Sequence, residues 1–207
     1  MKDTIYSREQ YLRKKAAEKE PLNIQLTNNY AFRKLFKMNY IARGFLIALL
    51  GLDEEDVVKL EVIDPFEEGE NEEEKEGILD IKIYLNDNKK INIEMQNRYQ
   101  EDWTERSLFY NCRMFTEGLY HGQPYGDLEP CIHVGILDFD LMKTPGFHHH
   151  IKLLDIKTNE EYSSKLQFHV VQLKQVESAT EEEKQTELYY WAKLLAAKDW
   201  KQVEETI

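Results

Sequence analysis

Two short segments decide the reading: Ile78-Leu79-Asp80-Ile81-Lys82-Ile83-Tyr84-Leu85 and Ile91-Asn92-Ile93-Glu94-Met95-Gln96, joined by Asn86-Asp87-Asn88-Lys89-Lys90. Both alternate apolar and polar residues, the period of a strand with one buried face. The connector is rich in residues that tolerate a positive φ, so the pair predicts a β-hairpin. Ile81, Ile83 and Leu85 are odd-numbered, as are Ile91, Ile93 and Met95. The two apolar faces coincide only if facing residues share parity. A three-residue loop at Asn86 to Asn88 then sets Ile81 against Ile93 and Ile83 against Ile91. The same register sets Asp80 against Glu94. A slip by one residue would bury the carboxylates and expose the isoleucines, so the register is strongly specified.

Directly opposed residues have Cβ atoms about 5 Å apart. Two carboxylates that close repel unless one is protonated or a cation neutralises them. An oxygen-only pair with room for water suits Mg²⁺ or Mn²⁺ and not zinc. Gln96 shares the face of Glu94 and can orient a water or a phosphate oxygen, though it carries no charge. From spacing alone, a plain solvated hairpin face is the competing reading.

The rest of the chain frames this hairpin. A length of 207 residues, 42% hydrophobic and 12% aromatic, fits one globular domain or a domain with a tail. No apolar run approaches the roughly 18 residues of a membrane span, and the N-terminus lacks an apolar signal core, so a cytoplasmic protein is expected. Cys112 and Cys131 form no metal-ligand spacing. The net charge of −12 argues against a simple DNA binder. Its distribution is uneven: residues 1–43 hold ten basic and four acidic side chains, whereas seven acids crowd into Glu67 to Glu76. The basic start, with Arg33, Lys34 and Lys37, is a candidate phosphate-contacting surface. The acidic run reads as a loop.

Thr27 or Asn28 can cap a helix whose buried stripe is Phe32, Leu35 and Phe36. A second helix is expected from about Tyr40 to Leu50, ended by Gly51. A strand over Val57 to Ile63 precedes the hairpin, and a long helix from Glu101 to about His121 follows it, with Leu108, Cys112, Phe115 and Leu119 on one face. Cys131 to Phe139, Phe147 to Asp155 and Leu166 to Leu173 read as strands. A last helix is expected from Thr180, with Leu188, Trp191, Leu194 and Leu195 as its apolar face. His148-His149-His150 would send alternate rings to opposite faces, leaving at most two together, too few for a metal framework. His121 and His133 read as lone structural residues. Tyr189, Tyr190, Trp191 and Trp200 read as core or interface, with stacking on bases as the alternative.

The pattern Ile-Leu-Asp80-Ile-Lys and Ile-Glu94-Met-Gln96, with thirteen residues between Asp80 and Glu94, resembles the PD-(D/E)XK nuclease motif. With Gln for the usual Lys, it is similar to the Rpn family of recombination-promoting nucleases and transposases. Leu26-Thr-Asn-Asn-Tyr-Ala-Phe-Arg-Lys-Leu-Phe36, Arg106 with Tyr110, and Gly122 to Tyr125 extend the resemblance, which spans about residues 22–175. It implies an α/β fold with a restriction-endonuclease-like core, a four-stranded mixed sheet flanked by helices. It also implies Mg²⁺-dependent cleavage of DNA. Asp80 and Glu94 then hold the metal with the Met95 carbonyl, Gln96 positions the water, and Arg106 and Tyr110 line the cleft, Arg106 on a phosphate. Family members often have Asp where Asn29 stands, which bears on any first-helix contribution to the metal. The expected organisation is a basic arm or helix over 1–21, a nuclease-like domain over 22–175 and a C-terminal helical segment over 176–207, expected to be shortened relative to longer members. The rival readings are a nuclease-fold protein acting as a DNA-binding or protein-interaction module, and self-association as a homodimer through the last helix.

Overall fold

The hairpin carries the register that parity demands. The computed structural model describes residues 2–63, 81–86, 88–117, 119 and 121–206; Asp80 and the acidic run Glu67 to Glu76 lie outside the described residues. Strand β2 (Ile81–Leu85) pairs antiparallel with β3 (Lys89–Gln96), with Ile81 facing Ile93, Ile83 facing Ile91 and Leu85 facing Lys89. Asn86 leaves β2 in the left-handed region at φ 55°, as a tight hairpin requires. Its side chain fixes the turn: Oδ1 accepts from Val58 and Lys59 N–H at 3.0 Å each, and Nδ2 donates to the Asp56 carbonyl at 2.7 Å. That clamp leads into β1 (Leu60–Ile63), which adds antiparallel to β2.

Among the described residues the sheet has six strands in the order β1-β2-β3-β4-β6-β5, not four. The inner four form the mixed core, and β1 and β5 (His148–Leu154) extend it antiparallel at its two edges. Strand β4 (Cys131–Leu137) runs parallel to both β3 and β6 (Glu161–Gln172). A parallel neighbour needs a crossover. Between β3 and β4 that crossover is helix α4 (Trp103–Thr116).

The odd face of the hairpin is the core. Ile81, Ile83, Ile91, Ile93 and Met95 are buried with Ile132, Val134 and Ile136 under three helices. These are α2 (Asn29–Phe36), α3 (Asn39–Leu50) and α5 (Glu187–Ala196). Asn28 caps α2 by accepting from Tyr30 and Ala31 N–H, and Gly51 ends α3 at φ 63°. The rings of Phe32, Phe36, Phe45 and Trp191 step across the helices at centroid spacings of 4.4, 5.1 and 5.9 Å. Trp191 is therefore a core contact. The last helix starts later than Thr180. Thr180 and Glu183 close a reciprocal capping turn, Thr180 N–H to Oε2 at 2.7 Å and Glu183 N–H to Oγ1 at 3.2 Å. Only a 3₁₀ turn follows it, because Thr186 offers a second cap and starts α5. At the N-terminus α1 (Lys2–Ala17) meets α6 (Trp200–Glu204), and Leu22 and Trp200 N–H donate to the carbonyls of Lys198 and Glu20.

The even face is not solvated: Lys90, Asn92 and Glu94 are buried beneath α4. The helix also turns a different side inward from the one its apolar residues suggest. Trp103, Ser107, Asn111 and Met114 are buried, while Leu108 and Phe109 are 45% and 59% exposed and Cys112 is exposed. The reason is the polarity of the surface to be covered. A sheet face of amide, carboxylate and imidazole selects small and hydrogen-bonding residues, as where Asn111 Nδ2 donates to the Gln167 carbonyl at 2.9 Å. Trp103 seats the helix. Its ring lies on Gly135, where a Cβ would fall 2.1 Å from Trp103 Cζ2. Among the described residues no helix is long and apolar enough to cross a membrane.

At the other end of the sheet, His148 and His150 share a face, and His169 of β6 joins them. Rings of His148 and His169 stack at 5.1 Å and those of His150 and His169 at 4.1 Å, with His148 Nε2 2.9 Å from His169 Nδ1. His149 points the other way, 3.1 Å from the Gly146 carbonyl. Three rings thus gather where the sequence led us to expect two, because His169 is remote in the chain. They stack face to face and do not converge on a point, and among the described residues no group of three or more His, Cys, Asp or Glu could hold a metal ion.

Two predictions follow from this packing. Gly135→Ala forces the Trp103 ring off β4 and should lower unfolding free energy by about 1–3 kcal/mol or more, read by urea titration of tryptophan fluorescence; an unchanged midpoint would contradict the seat. Burial, then the neighbouring histidines, lowers the pKa of His148 to about 4 and that of His169 to about 3, from 6.5. The folded state therefore binds fewer protons than the unfolded chain below about pH 6.5, and stability falls as pH drops through that value. At pH 5 the loss should approach about 2 kcal/mol per ring, and His148→Gln with His169→Gln should flatten the pH dependence of the urea midpoint.

Candidate active site

Glu94 stands where the carboxyl end of β3 meets the first turn of α4, and it is 3% exposed. A carboxylate taken out of water needs charge or hydrogen-bond partners. Arg106, one turn into α4, brings a guanidinium nitrogen to 3.1 Å from Glu94 Oε1. On the other side His133 Nε2 lies 3.8 Å from Oε2. Arg106 also lies over the Tyr110 ring, 5.6 Å from its centroid, so the two residues four apart do share a surface. The partner of Arg106 in this structure is thus the carboxylate.

His133 is fully buried on β4, directly across from Asn92, whose Nδ2 is 3.0 Å from His133 Nδ1. Burial first, and then Arg106, lowers the pKa of His133 from 6.5 to about 3, so the ring is neutral. The indole of Trp103, 5.8 Å from the His133 ring, closes the space above it. His133 was read in the sequence as a lone structural residue. Its place beside Glu94 depends on β4 being the parallel neighbour of β3, which no local signal reports. The trace that existed was one histidine in the otherwise apolar strand Cys131-Ile-His-Val-Gly-Ile-Leu.

The remaining sequence candidates fall around this carboxylate. Asp80 precedes Ile81 and lies outside the described residues. The Gln96 carbonyl accepts from Asp138 N–H on the β4 side, so strand alternation turns the Met95 carbonyl towards β2. Gln96 is half-buried, and its Nε2 donates to the Arg98 carbonyl at 3.0 Å, leaving Oε1 as the acceptor end of the amide. Beyond it, Asn97 Nδ2 lies 3.4 Å from the Thr27 carbonyl and ties the end of β3 to the start of α2. Asn29 is exposed at the first position of α2. On the same helix Arg33 is half-buried and Lys34 exposed, its ammonium 5.7 Å from the Tyr30 ring centroid. Lys37 is exposed at the C-cap.

These donors are chemically consistent with a hard divalent cation. A carboxylate, a backbone carbonyl and an amide oxygen are all oxygen donors, the type that Mg²⁺ or Mn²⁺ prefers. The guanidinium on Oε1 shows that this position already accepts concentrated positive charge. The described part of the site supplies one carboxylate, and Asp80 is the second the sequence offers.

No curated protein and no solved structure matches the chain. A family model does. It is described as PD-(D/E)XK nuclease family transposase and matches residues 26–207. The match takes in the hairpin, α4, all six strands and the last helices, so the chain belongs to the PD-(D/E)XK nuclease family transposases.

Proposed function

We propose that this protein is a Mg²⁺- or Mn²⁺-dependent DNA endonuclease of the recombination-promoting, transposase-associated type, acting in the cytoplasm and hydrolysing phosphodiester bonds. The observation that carries the reading is the hairpin register. Ile81 faces Ile93 with the buried Glu94 next along β3, and the parity of the apolar positions in the sequence is what sets Asp80, the residue before Ile81, against Glu94. Family membership supports it independently.

In this reading Asp80, Glu94 and the Met95 carbonyl would hold the cation, whose charge would polarise the scissile phosphate and lower the pKa of a nearby water. Glu94 is held ready by its surroundings: Arg106 on Oε1 and His133 near Oε2 limit its rotation, and Trp103 keeps bulk water off the strand. Gln96 orients the attacking water through Oε1. Arg106, beside Glu94, would be the side chain to meet a phosphate oxygen, which its planar fork matches well. Arg33, Lys34 and Lys37, with the N-terminus of α2 at Asn29, supply the positive surface for the DNA backbone. That local surface is what lets a chain of net charge −12 approach DNA.

Nicking of supercoiled plasmid tests this directly. The protein should cleave with Mg²⁺ or Mn²⁺ and stop with a chelator, and Asp80→Ala and Glu94→Ala should each slow cleavage by about a hundredfold or more. Equal background cleavage by all three proteins sinks the catalytic reading. Retained DNA binding without cleavage would leave the non-catalytic binding module in its place.

A further inference from the structure

We infer that Asn92 and His133 act as positioning residues for Glu94: Asn92 fixes His133 in the tautomer that carries its proton on Nε2, and that N–H steadies the Glu94 carboxylate from below. The importance of this for cation binding rests on the nuclease reading above. The tautomer itself does not.

A neutral imidazole has one N–H, and the other nitrogen is an acceptor. Asn92, His133 and Glu94 are 1%, 0% and 3% exposed, so water cannot easily supply missing partners. Asn92 presents Nδ2, a donor, 3.0 Å from His133 Nδ1. Nδ1 must then accept, and the proton sits on Nε2. The far side of the ring requires the same answer. Nε2 lies 3.8 Å from Glu94 Oε2, and a lone pair there would face a carboxylate across a dry gap. With the opposite amide orientation, Oδ1 of Asn92 would take a proton from Nδ1 and leave that repulsion in place. Two contacts on opposite edges of the ring therefore agree on one tautomer.

The distance of 3.8 Å is too long for a hydrogen bond, and Arg106 forms an ion pair with the other oxygen at 3.1 Å. His133 is the weaker partner while Arg106 is engaged. It stays beside the carboxylate when Arg106 turns to another anion, and a small rotation of Glu94 closes the gap. The strand geometry sets this up. Asn92 and Glu94 are two apart and share a face, His133 sits across from Asn92, and Gly135, across from Glu94, leaves room for the Trp103 ring that shields His133. Removing a partner that orients a metal-ligating group typically costs about 10–100-fold in metal affinity.

The test uses the full chain labelled with ¹⁵N and free of metal. Long-range ¹H–¹⁵N spectra, with His133 assigned by its loss in His133→Gln, should show protonated Nε2 and unprotonated Nδ1. Asn92→Asp offers only acceptors to Nδ1 and should move the proton there. Mn²⁺ affinity, read by electron paramagnetic resonance without any DNA, should then fall about tenfold or more in Asn92→Asp and in His133→Leu. His133→Gln, whose amide can still donate to Glu94, should stay within a few-fold of the unmodified protein. Protonated Nδ1 in the unmodified protein overturns the inference, and so does a switched tautomer that leaves Mn²⁺ affinity unchanged. If the unmodified protein binds no Mn²⁺, the metal reading of the site fails, and the spectrum alone decides the inference: protonated Nε2 supports it and protonated Nδ1 overturns it.

Discussion

The even face of β3 reads Lys90, Asn92, Glu94, a cation, a neutral amide and an anion, and it is buried under one helix. That sequence of charges is the constraint on which the arrangement of α4 depends. The Lys90 ammonium donates to the Glu117 carbonyl at 2.8 Å and lies 3.4 Å from that of Met114, both at the helix C-terminus. Glu94 lies at the opposite end, against Arg106 in the first turns. A helix carries partial positive charge at its N-terminus and negative charge at its C-terminus, so α4 laid antiparallel to β3 matches both. The lengths also agree. Four strand residues from Lys90 to Glu94 span about 13 Å, and eight helix residues from Arg106 to Met114 span about 12 Å. Reversing the helix would set like against like at both ends in a dry interface.

This matching explains why the sequence was easy to read on one face of the hairpin and hard on the other. The odd face is apolar throughout, its period is two, and a parity argument fixes which isoleucine meets which. The register, the turn at Asn86, the Asn28 cap and the Gly51 stop were all legible for that reason, since each is settled within a few residues of chain. The even face was legible only as a list of polar residues. Whether such a face meets water or a helix depends on the crossover to β4, a long-range fact. The stripe Leu108, Cys112, Phe115 and Leu119 then misleads about α4. Hydrophobic periodicity locates the buried side of a helix only when the surface beneath it is apolar, and here Ser107 and Asn111 fit better than leucine would.

The same logic accounts for the residues that the sequence hid around the site. His133, Gly135 and Trp103 have no local signature, and they become neighbours of Glu94 only through the pairing of Asn92 with His133 and of Glu94 with Gly135. The three histidines at the far edge are a parallel case, visible as a triplet in one strand but completed by His169 from another. The hairpin register was legible because a hairpin is a local object, and the residues packed around Glu94 were not because non-local strand order assembles them.

Within the nuclease reading, one consequence concerns where the positive charge of the site resides. The motif of the family places a lysine two residues after the acidic ligand, and this chain has Gln96 there, an uncharged amide whose Nε2 is engaged by the Arg98 carbonyl. The cationic group beside Glu94 comes instead from Arg106 on α4. A lysine on the strand would share the fixed geometry of β3. An arginine on the covering helix is 32% exposed at its side chain and can pivot over Tyr110 between the carboxylate and an incoming anion. It cannot fully satisfy both. In that reading Arg106 would turn to a phosphate where a divalent cation stood against Glu94 in its place. The Arg106 guanidinium would in that reading couple occupancy of the metal position to contact with the DNA backbone.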